Sequence, residues 1–224
     1  MSLNDFLGAI AKQGGMSMTN GYDIDIELPS TLANYLNPWV GKINTSSTSD
    51  KGVLIKWLCD EAQLPNVQAA TGTINGRHLG ENGINFPYAK FYSDLSLSWM
   101  CDADMIPLKF VTGWHGFIFN GGDPDDPKSS GKGLTAIKGI TPRPINRAIR
   151  VQWPERYMAP YMRITKTEKN GGAANGRAPI SYILENAYPY SVDAVPLSYG
   201  TSQITKVTAN FYYQKQTVVF GDGK

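Results

Sequence analysis

The chain of 224 residues holds only two cysteines and two histidines, and charged residues make up 18% of it. Each scarcity excludes a class of function. An enzyme needs polar groups converging on a pocket, but His78 falls in a turn-rich loop and His115 on the apolar face of a predicted helix. No Cys–His pair shows metal-ligand spacing. No nucleophile and base stand in a recognisable pair, so neither catalysis nor a metal is expected. Cys59 and Cys101 are isolated, each at the end of a predicted strand. Buried thiols are expected there, with a disulfide left open by the sequence alone. No apolar run is long enough to span a membrane. Residues 1–18 lack a charged start followed by an apolar stretch, so no secretory signal is expected. The formal net charge is +2, from 21 basic and 19 acidic residues. That balance lacks the clustered Lys and Arg of a domain that grips phosphates.

What is abundant points elsewhere. Hydrophobic residues reach 42% and aromatics 11%, enough for one real core, so residues 1–224 read as a single domain. With few charges, the surface must be covered by Ser, Thr, Asn, Gly and Tyr. Such a surface suits lasting contacts with other protein copies.

The chain reads as mainly β. Residues 3–11 have helical spacing (Leu3, Phe6, Leu7, Ile10, Ala11), with Asn4 or Asp5 as the expected cap and Gly14-Gly15 as the stop. Residues 22–28 alternate Tyr22, Ile24, Ile26 and Leu28 against Asp23, Asp25 and Glu27, a half-buried strand. Residues 30–51 read as a polar loop with one short anchor turn, its tip at 44–51 exposed. Val53, Ile55, Trp57 and Cys59 suggest a second strand over 52–60. The Asn75-Gly76 and Asn82-Gly83 pairs mark turns. A projecting hairpin is expected over 66–85, with one pair turning between 71–73 and 77–79 and Phe86-Pro87-Tyr88 re-entering the core.

A strand over 91–101 puts Leu95, Leu97, Trp99 and Cys101 on one face and Ser96 and Ser98 on the other. It hands over to a helix capped by Asp104, with Pro107 in the first turn. Leu108, Val111, His115 and Ile118 form one row of that helix and Phe110, Trp114 and Phe117 another, so it should be mostly covered. Residues 120–155, rich in Pro, Gly and Arg, read as a long irregular insertion without a core of its own. Strands resume at 160–167, 179–187, 188–196 and 203–214, the third carrying Pro189 and Pro196. The total expected is about seven strands and one main helix, mostly antiparallel.

Three motifs are weak. Asp123, Asp125 and Asp126 are broken up by prolines, and no glutamate closes them as a calcium loop. Gly131-Lys132-Gly133 lacks the Ser or Thr and the preceding strand of a phosphate loop. Arg143, Arg147, Arg150 and Arg156 form either a solvated stretch or a surface for an acidic partner; they lack the interleaved aromatics that stack on bases.

Order and spacing along the chain resemble the contractile-phage tail tube family. The resemblance is carried by Tyr22 to Pro29, Leu58-Cys59-Asp60-Glu61-Ala62-Gln63-Leu64-Pro65, Phe86-Pro87-Tyr88 and the strand to Asp104. It continues through the aromatic-rich helix, Ala187-Tyr188-Pro189, Pro196-Leu197-Ser198-Tyr199 and Val207 to Tyr213. It implies a ring-forming antiparallel β-barrel or sandwich, flanked by one helix and long loops, with no enzymatic activity and no cofactor. Six copies would form a ring, rings would stack, and DNA would pass through the lumen. The implied partners are further copies, a tail sheath protein, a baseplate or tube initiator and a tail terminator, with no membrane. The implied place is the virion tail, assembled in the host cytoplasm. Inter-subunit contacts are expected at Thr71, Asn75, Arg77, Phe86, Tyr88, Arg143, Arg147, Tyr199 and Tyr212. The arm at 1–20 and the loop at 30–51 are further candidates. The 120–155 insertion departs from a plain tube subunit and leaves a baseplate tube initiator of the same fold as an alternative. A carbohydrate-binding β-module, suggested by Tyr, Trp and Asp-rich loops, is a further alternative, though packing accounts for the same aromatics.

Overall fold

A computed structural model of the chain describes residues 2–12, 15–43, 51–76, 83–120, 151–168, 179–197, 199–200 and 203–221. Its strands are β1 (Tyr22–Glu27), β2 (Cys59–Ala62), β3 (Val67–Ile74), β4 (Ile84–Tyr92) and β5 (Leu95–Met100), followed by β6 (Tyr161–Lys166), β7 (Ile180–Glu185), β8 (Tyr188–Val192), β9 (Lys206–Tyr212) and β10 (Lys215–Phe220). Sheet one runs β1-β6-β7-β10, sheet two runs β2-β5-β9-β8, and β3-β4 stands apart as a two-stranded ribbon. Every pairing is antiparallel. The fold is therefore mainly antiparallel β, as expected, and among the described residues it is two sheets rather than a closed barrel.

The sheets meet at a corner made by two bent strand pairs. β7 pairs with β10 in sheet one, and their chain continuations β8 and β9 pair in sheet two. Asn186 at φ 56 turns one chain through the corner, and its Nδ2 donates to Gln214 Oε1 at 2.8 Å across it. The expected strand over 203–214 is β9, and a further strand, β10, follows it after Tyr213 and Gln214.

The helices are α1 (Leu3–Lys12), α2 (Ser30–Val40), α3 (Leu54–Trp57), α4 (Ile106–Asn120) and α5 (Pro154–Tyr157). Three correct the sequence reading. Residues 30–40 form a helix of three turns rather than a loop, because Leu32, Ala33, Leu36 and Val40 fall on one side and are buried there. Pro38 and the polar composition hid that periodicity. Residues 52–60 do not form a strand: a 3-10 turn (Lys51–Val53) runs into α3, and only then does β2 begin. Leu58 N–H bonds the Leu54 carbonyl at 2.8 Å, and the Ile55 carbonyl accepts from Trp99 Nε1 at 3.0 Å. Local hydrogen bonds and burial against Trp99 overrode the alternating pattern. At the start of α4, Asp102 Oδ1 accepts from Ile106 N–H at 2.7 Å. The cap of α1 is Ser2, in a reciprocal pair with Asp5 at 3.0 and 3.2 Å.

Helix α4 is the centre of the core. Phe110, Val111, Trp114, Phe117 and Ile118 are buried beneath it, as its spacing predicted. Trp99, Phe110, Trp114 and Phe211 meet edge to face at centroid distances of 5.5 to 6.5 Å. Trp114 Nε1 donates to the Tyr157 carbonyl at 2.8 Å, so its one polar atom is satisfied. Helix α2 crosses α4 at Gly113, where a Cβ would stand 2.7 Å from Leu36 Cδ2. Ile24, Ile26, Met162, Ile164 and Leu184 line the inner face of sheet one. Both thiols are free; Cys59 is buried, which pushes it up to about 12, and Cys101 is half-buried.

Candidate assembly interface

The β3–β4 ribbon has no buried residue among those described. Its two arms are exposed along almost their whole length. Cross-strand pairs sort its residues onto two faces. Gln68–Phe91, Ala70–Ala89, Gly72–Phe86 and Ile74–Ile84 share one face. The register shifts between Ala70 and Thr71, so Tyr88 is the extra residue on β4. The Phe86 and Tyr88 rings lie over Gly72, where a Cβ would approach them at 3.1 to 3.5 Å. The opposite face carries Thr71, Thr73, Asn85 and Lys90 together with Val67, Ala69, Pro87 and Tyr92, so its polar side chains gather towards the tip, where Thr73 Oγ1 donates to Asn85 Oδ1 at 2.8 Å. The outer part of the ribbon is amphipathic, yet Ile74 is 60% and Ile84 71% exposed on its apolar side. An isolated two-stranded ribbon is marginal in water, so such a face needs a cover.

The base of the ribbon is anchored. Tyr92 packs on Tyr213 at 5.6 Å, Lys90 Nζ stands 5.0 Å over the Tyr92 ring, and Tyr213 Oη donates to the Asn66 carbonyl at 3.4 Å. Burial of Tyr213 pushes its phenol up to about 12. In the link between β4 and β5, Asp94 accepts a hydrogen bond from Tyr190, which in turn stacks on Tyr212 at 3.9 Å. That bond pushes the Tyr190 phenol up to about 12 and holds the Asp94 carboxyl below its usual range. The ribbon therefore projects from a fixed root.

Helix α1 resembles the ribbon in one respect. Leu3, Phe6 and Leu7 stand on it exposed, and none of its residues is buried. Beyond it, Glu168 accepts from Lys166, from Ser17 and from Met18 N–H; these contacts lower its carboxyl to about 2, the Lys166 bond contributing most. The outer face of sheet two has a polar stretch, where Ser96, Ser98, Thr208 and Asn210 lie across from one another beside Met100 and Tyr212, and Lys206 pairs with Asp60.

The expected contact residues fall into separate groups. Thr71, Asn75, Phe86 and Tyr88 lie on or at the end of the ribbon, all exposed. Phe86-Pro87-Tyr88 thus does not re-enter the core: the hairpin is longer than expected, pairing 71–73 with 85–87 rather than with 77–79. Tyr199 is fully exposed after β8, and Tyr212 sits on the outer side of β9 against Tyr188 and Tyr190. Arg77, Arg143 and Arg147 lie outside the described residues, as do His78, the Asp123 to Asp126 cluster, the Gly131-Lys132-Gly133 motif and most of the loop tip at 44–51. Sequence reasoning missed Ile74, Ile84 and Phe91 on the ribbon, and Val218 and Phe220 on β10. The run of β-branched residues at Thr217, Val218 and Val219 was the available signal for β10.

Among the described residues no group of three or more His, Cys, Asp or Glu side chains could hold a metal, and no helix is long and apolar enough to cross a membrane. A family model described as phage tail tube protein matches residues 17–219. The chain belongs to the phage tail tube protein family. Its fold is similar to the PVC sheath/tube terminator of an extracellular contractile injection system, with a TM-score of 0.51 and 9% identity over 91% of this chain and 96% of that one. A chain of the anti-feeding prophage baseplate aligns with a TM-score of 0.49 and 10% identity, over 92% of this chain and 97% of that one. An Hcp protein aligns with a TM-score of 0.39 and 9% identity, over 92% of this chain and 95% of that one. No curated protein matches the chain significantly. As a tail tube family member, the chain is a structural protein of the tail-tube type.

Proposed function

We propose that this chain is the subunit of a tail tube, closing into hexameric rings that stack to form the conduit for genome delivery. The observation that carries the reading is the amphipathic ribbon, anchored at its root and uncovered on its apolar face. A lone subunit would pay for that face in solvent, whereas a ring covers it with the next copy. Thr71, Asn75, Arg77, Phe86 and Tyr88 then contact neighbouring copies, and Tyr199 and Tyr212 serve a second contact. The polar stretch of Ser96, Ser98, Thr208 and Asn210 on the outer face of sheet two, beside the paired Lys206 and Asp60, suits a lumen that must release what it carries. Arg143 and Arg147 would meet an acidic surface of a neighbouring subunit or of the tail sheath. Baseplate, initiator and terminator proteins bound the tube's ends, DNA passes through transiently, and assembly takes place in the host cytoplasm.

Negative-stain microscopy of the purified protein over a concentration range tests this. Rings that lengthen into tubes are expected. Rings that never lengthen would favour the baseplate tube initiator, and a monodisperse monomer at every concentration would refute the tube reading.

A further inference from the structure

An asparagine followed by glycine carries its own reaction, because the glycine nitrogen, with no Cβ beside it, can close on the side-chain amide. The sequence holds six such pairs, at Asn20, Asn75, Asn82, Asn120, Asn170 and Asn175. Two lie wholly among the described residues, and the fold treats them differently. Asn20 is exposed, but Gly21 after it is clamped on the end of β6. The Gly21 carbonyl accepts from Thr167 N–H at 2.9 Å, and a Cβ on Gly21 would stand 2.3 Å from the Thr167 carbonyl oxygen. Tyr22 follows directly in the β1–β6 register, opposite Lys166. The backbone beyond Asn20 is thus held from rotating towards its side chain. Asn75 and Gly76 lie past Ile74–Ile84, the last rung of the β3–β4 ladder, and both are exposed. Neither takes part in a ladder that would hold the Gly76 nitrogen away from the Asn75 side chain.

What the reaction would change is charge. β3 carries no charged residue and β4 only Lys90. Ile74 and Ile84, beside Asn75, form the exposed apolar end of the ribbon. Asn75 Oδ1 leans over that end, 3.1 Å from where a Gly83 Cβ would stand. A carboxylate there cannot be covered without losing its water, which costs far more than covering a neutral amide.

We propose that Asn75–Gly76 is a self-modifying site of the free subunit, whose conversion to aspartate or isoaspartate takes that copy out of assembly. The Gly76 nitrogen bonds to Asn75 Cγ, the Cγ–Nδ2 bond breaks, and Nδ2 leaves as ammonia with the proton from Gly76. Water then adds to either carbonyl of the cyclic imide. Release of the nitrogen from Cγ leaves aspartate; release from the former backbone carbonyl leaves isoaspartate, with an extra methylene in the chain. The nitrogen takes a proton back from the water, the new acid ionises, and nothing is oxidised or reduced. A neighbour covering the ribbon holds both residues still and excludes water, so the site reacts before assembly and not after it. The effect on assembly rests on reading the ribbon as a contact surface; the chemistry at Asn75 does not.

The test incubates the free wild-type subunit in mildly alkaline buffer made with heavy-oxygen water. The peptides holding Asn20 and Asn75 are followed by mass spectrometry, with isoaspartate told from aspartate by isoaspartate methyltransferase labelling. Asn75 is expected to convert several-fold faster than Asn20, with isoaspartate among the products. The aged protein is then driven to assemble and pelleted, and the Asn75 amide is expected in the pellet with converted chains in the supernatant. Gly76→Ala, whose Cβ hinders ring closure, should keep its assembly through the same incubation. Asn75→Asp should lose assembly at once, with its thermal midpoint unchanged. Asn75 converting no faster than Asn20, or converted chains entering the pellet as readily as unconverted ones, overturns the proposal. Wild-type protein that never assembles, fresh or aged, sinks the assembly reading, while the rates at Asn75 and Asn20 still decide the chemistry.

Discussion

Helix α4 and the β3–β4 ribbon carry similar aromatic cargo to opposite ends. Phe110, Trp114 and Phe117 are wholly buried between α2 and sheet two, whereas Phe86, Tyr88 and Phe91 stand in solvent on a ribbon rooted by Tyr92 and Tyr213. Apolar area stabilises only when something covers it. One set is covered by its own chain and holds the subunit together; the other awaits a neighbour. Stability and assembly should therefore separate by region.

The largest effect is expected at the core. Trp114→Ala should destabilise the subunit by about 3–5 kcal/mol, through the cavity and the orphaned Tyr157 carbonyl, as read by urea unfolding. A loss near zero would mean that α4 does not organise the core. Next comes the ribbon, where Phe86→Ser combined with Phe91→Ser should change unfolding free energy by no more than about 0.5 kcal/mol. The same pair should abolish higher assemblies in sedimentation velocity. A large drop in subunit stability would show instead that its own chain covers this face. Removal of residues 1–15 should leave the thermal midpoint of the subunit unchanged, because α1 buries none of its residues. Protease protection of residues 1–20 should rise on assembly, and equal protection in free subunit and tube would contradict that. The smallest effect concerns Glu168. Its carboxyl, ordinarily 4.5, is lowered to about 2, so its hold on Ser17 and Met18 is complete above 4.5 and fades as pH falls towards 2. Amide exchange at residues 16–18 should speed up across that window, and Glu168→Gln should flatten the dependence.

Strand β1 and helix α4 were legible in the sequence because long, clean periodicity and burial agree there. The same holds for β5, where Leu95, Leu97 and Trp99 turn inward. Helix α2 was hidden by Pro38, and residues 52–57 followed the hydrogen bonds of Ile55 and Leu58 rather than an alternating pattern. The hairpin was legible from its Asn-Gly pairs, but not its length. Phe86 and Tyr88 look like core residues until the pairing with 71–73 places them outside.

The sequence by itself determined the β-rich class, the covered helix, the scarcity of groups for chemistry and the order of segments that marks a tail tube protein. Those are matters of composition and periodicity, which every residue reports locally. Only the tertiary structure decided which apolar faces find a cover and which sheet edges stay open. Exposure depends on what the distant parts of the chain place alongside, and no local pattern contains that.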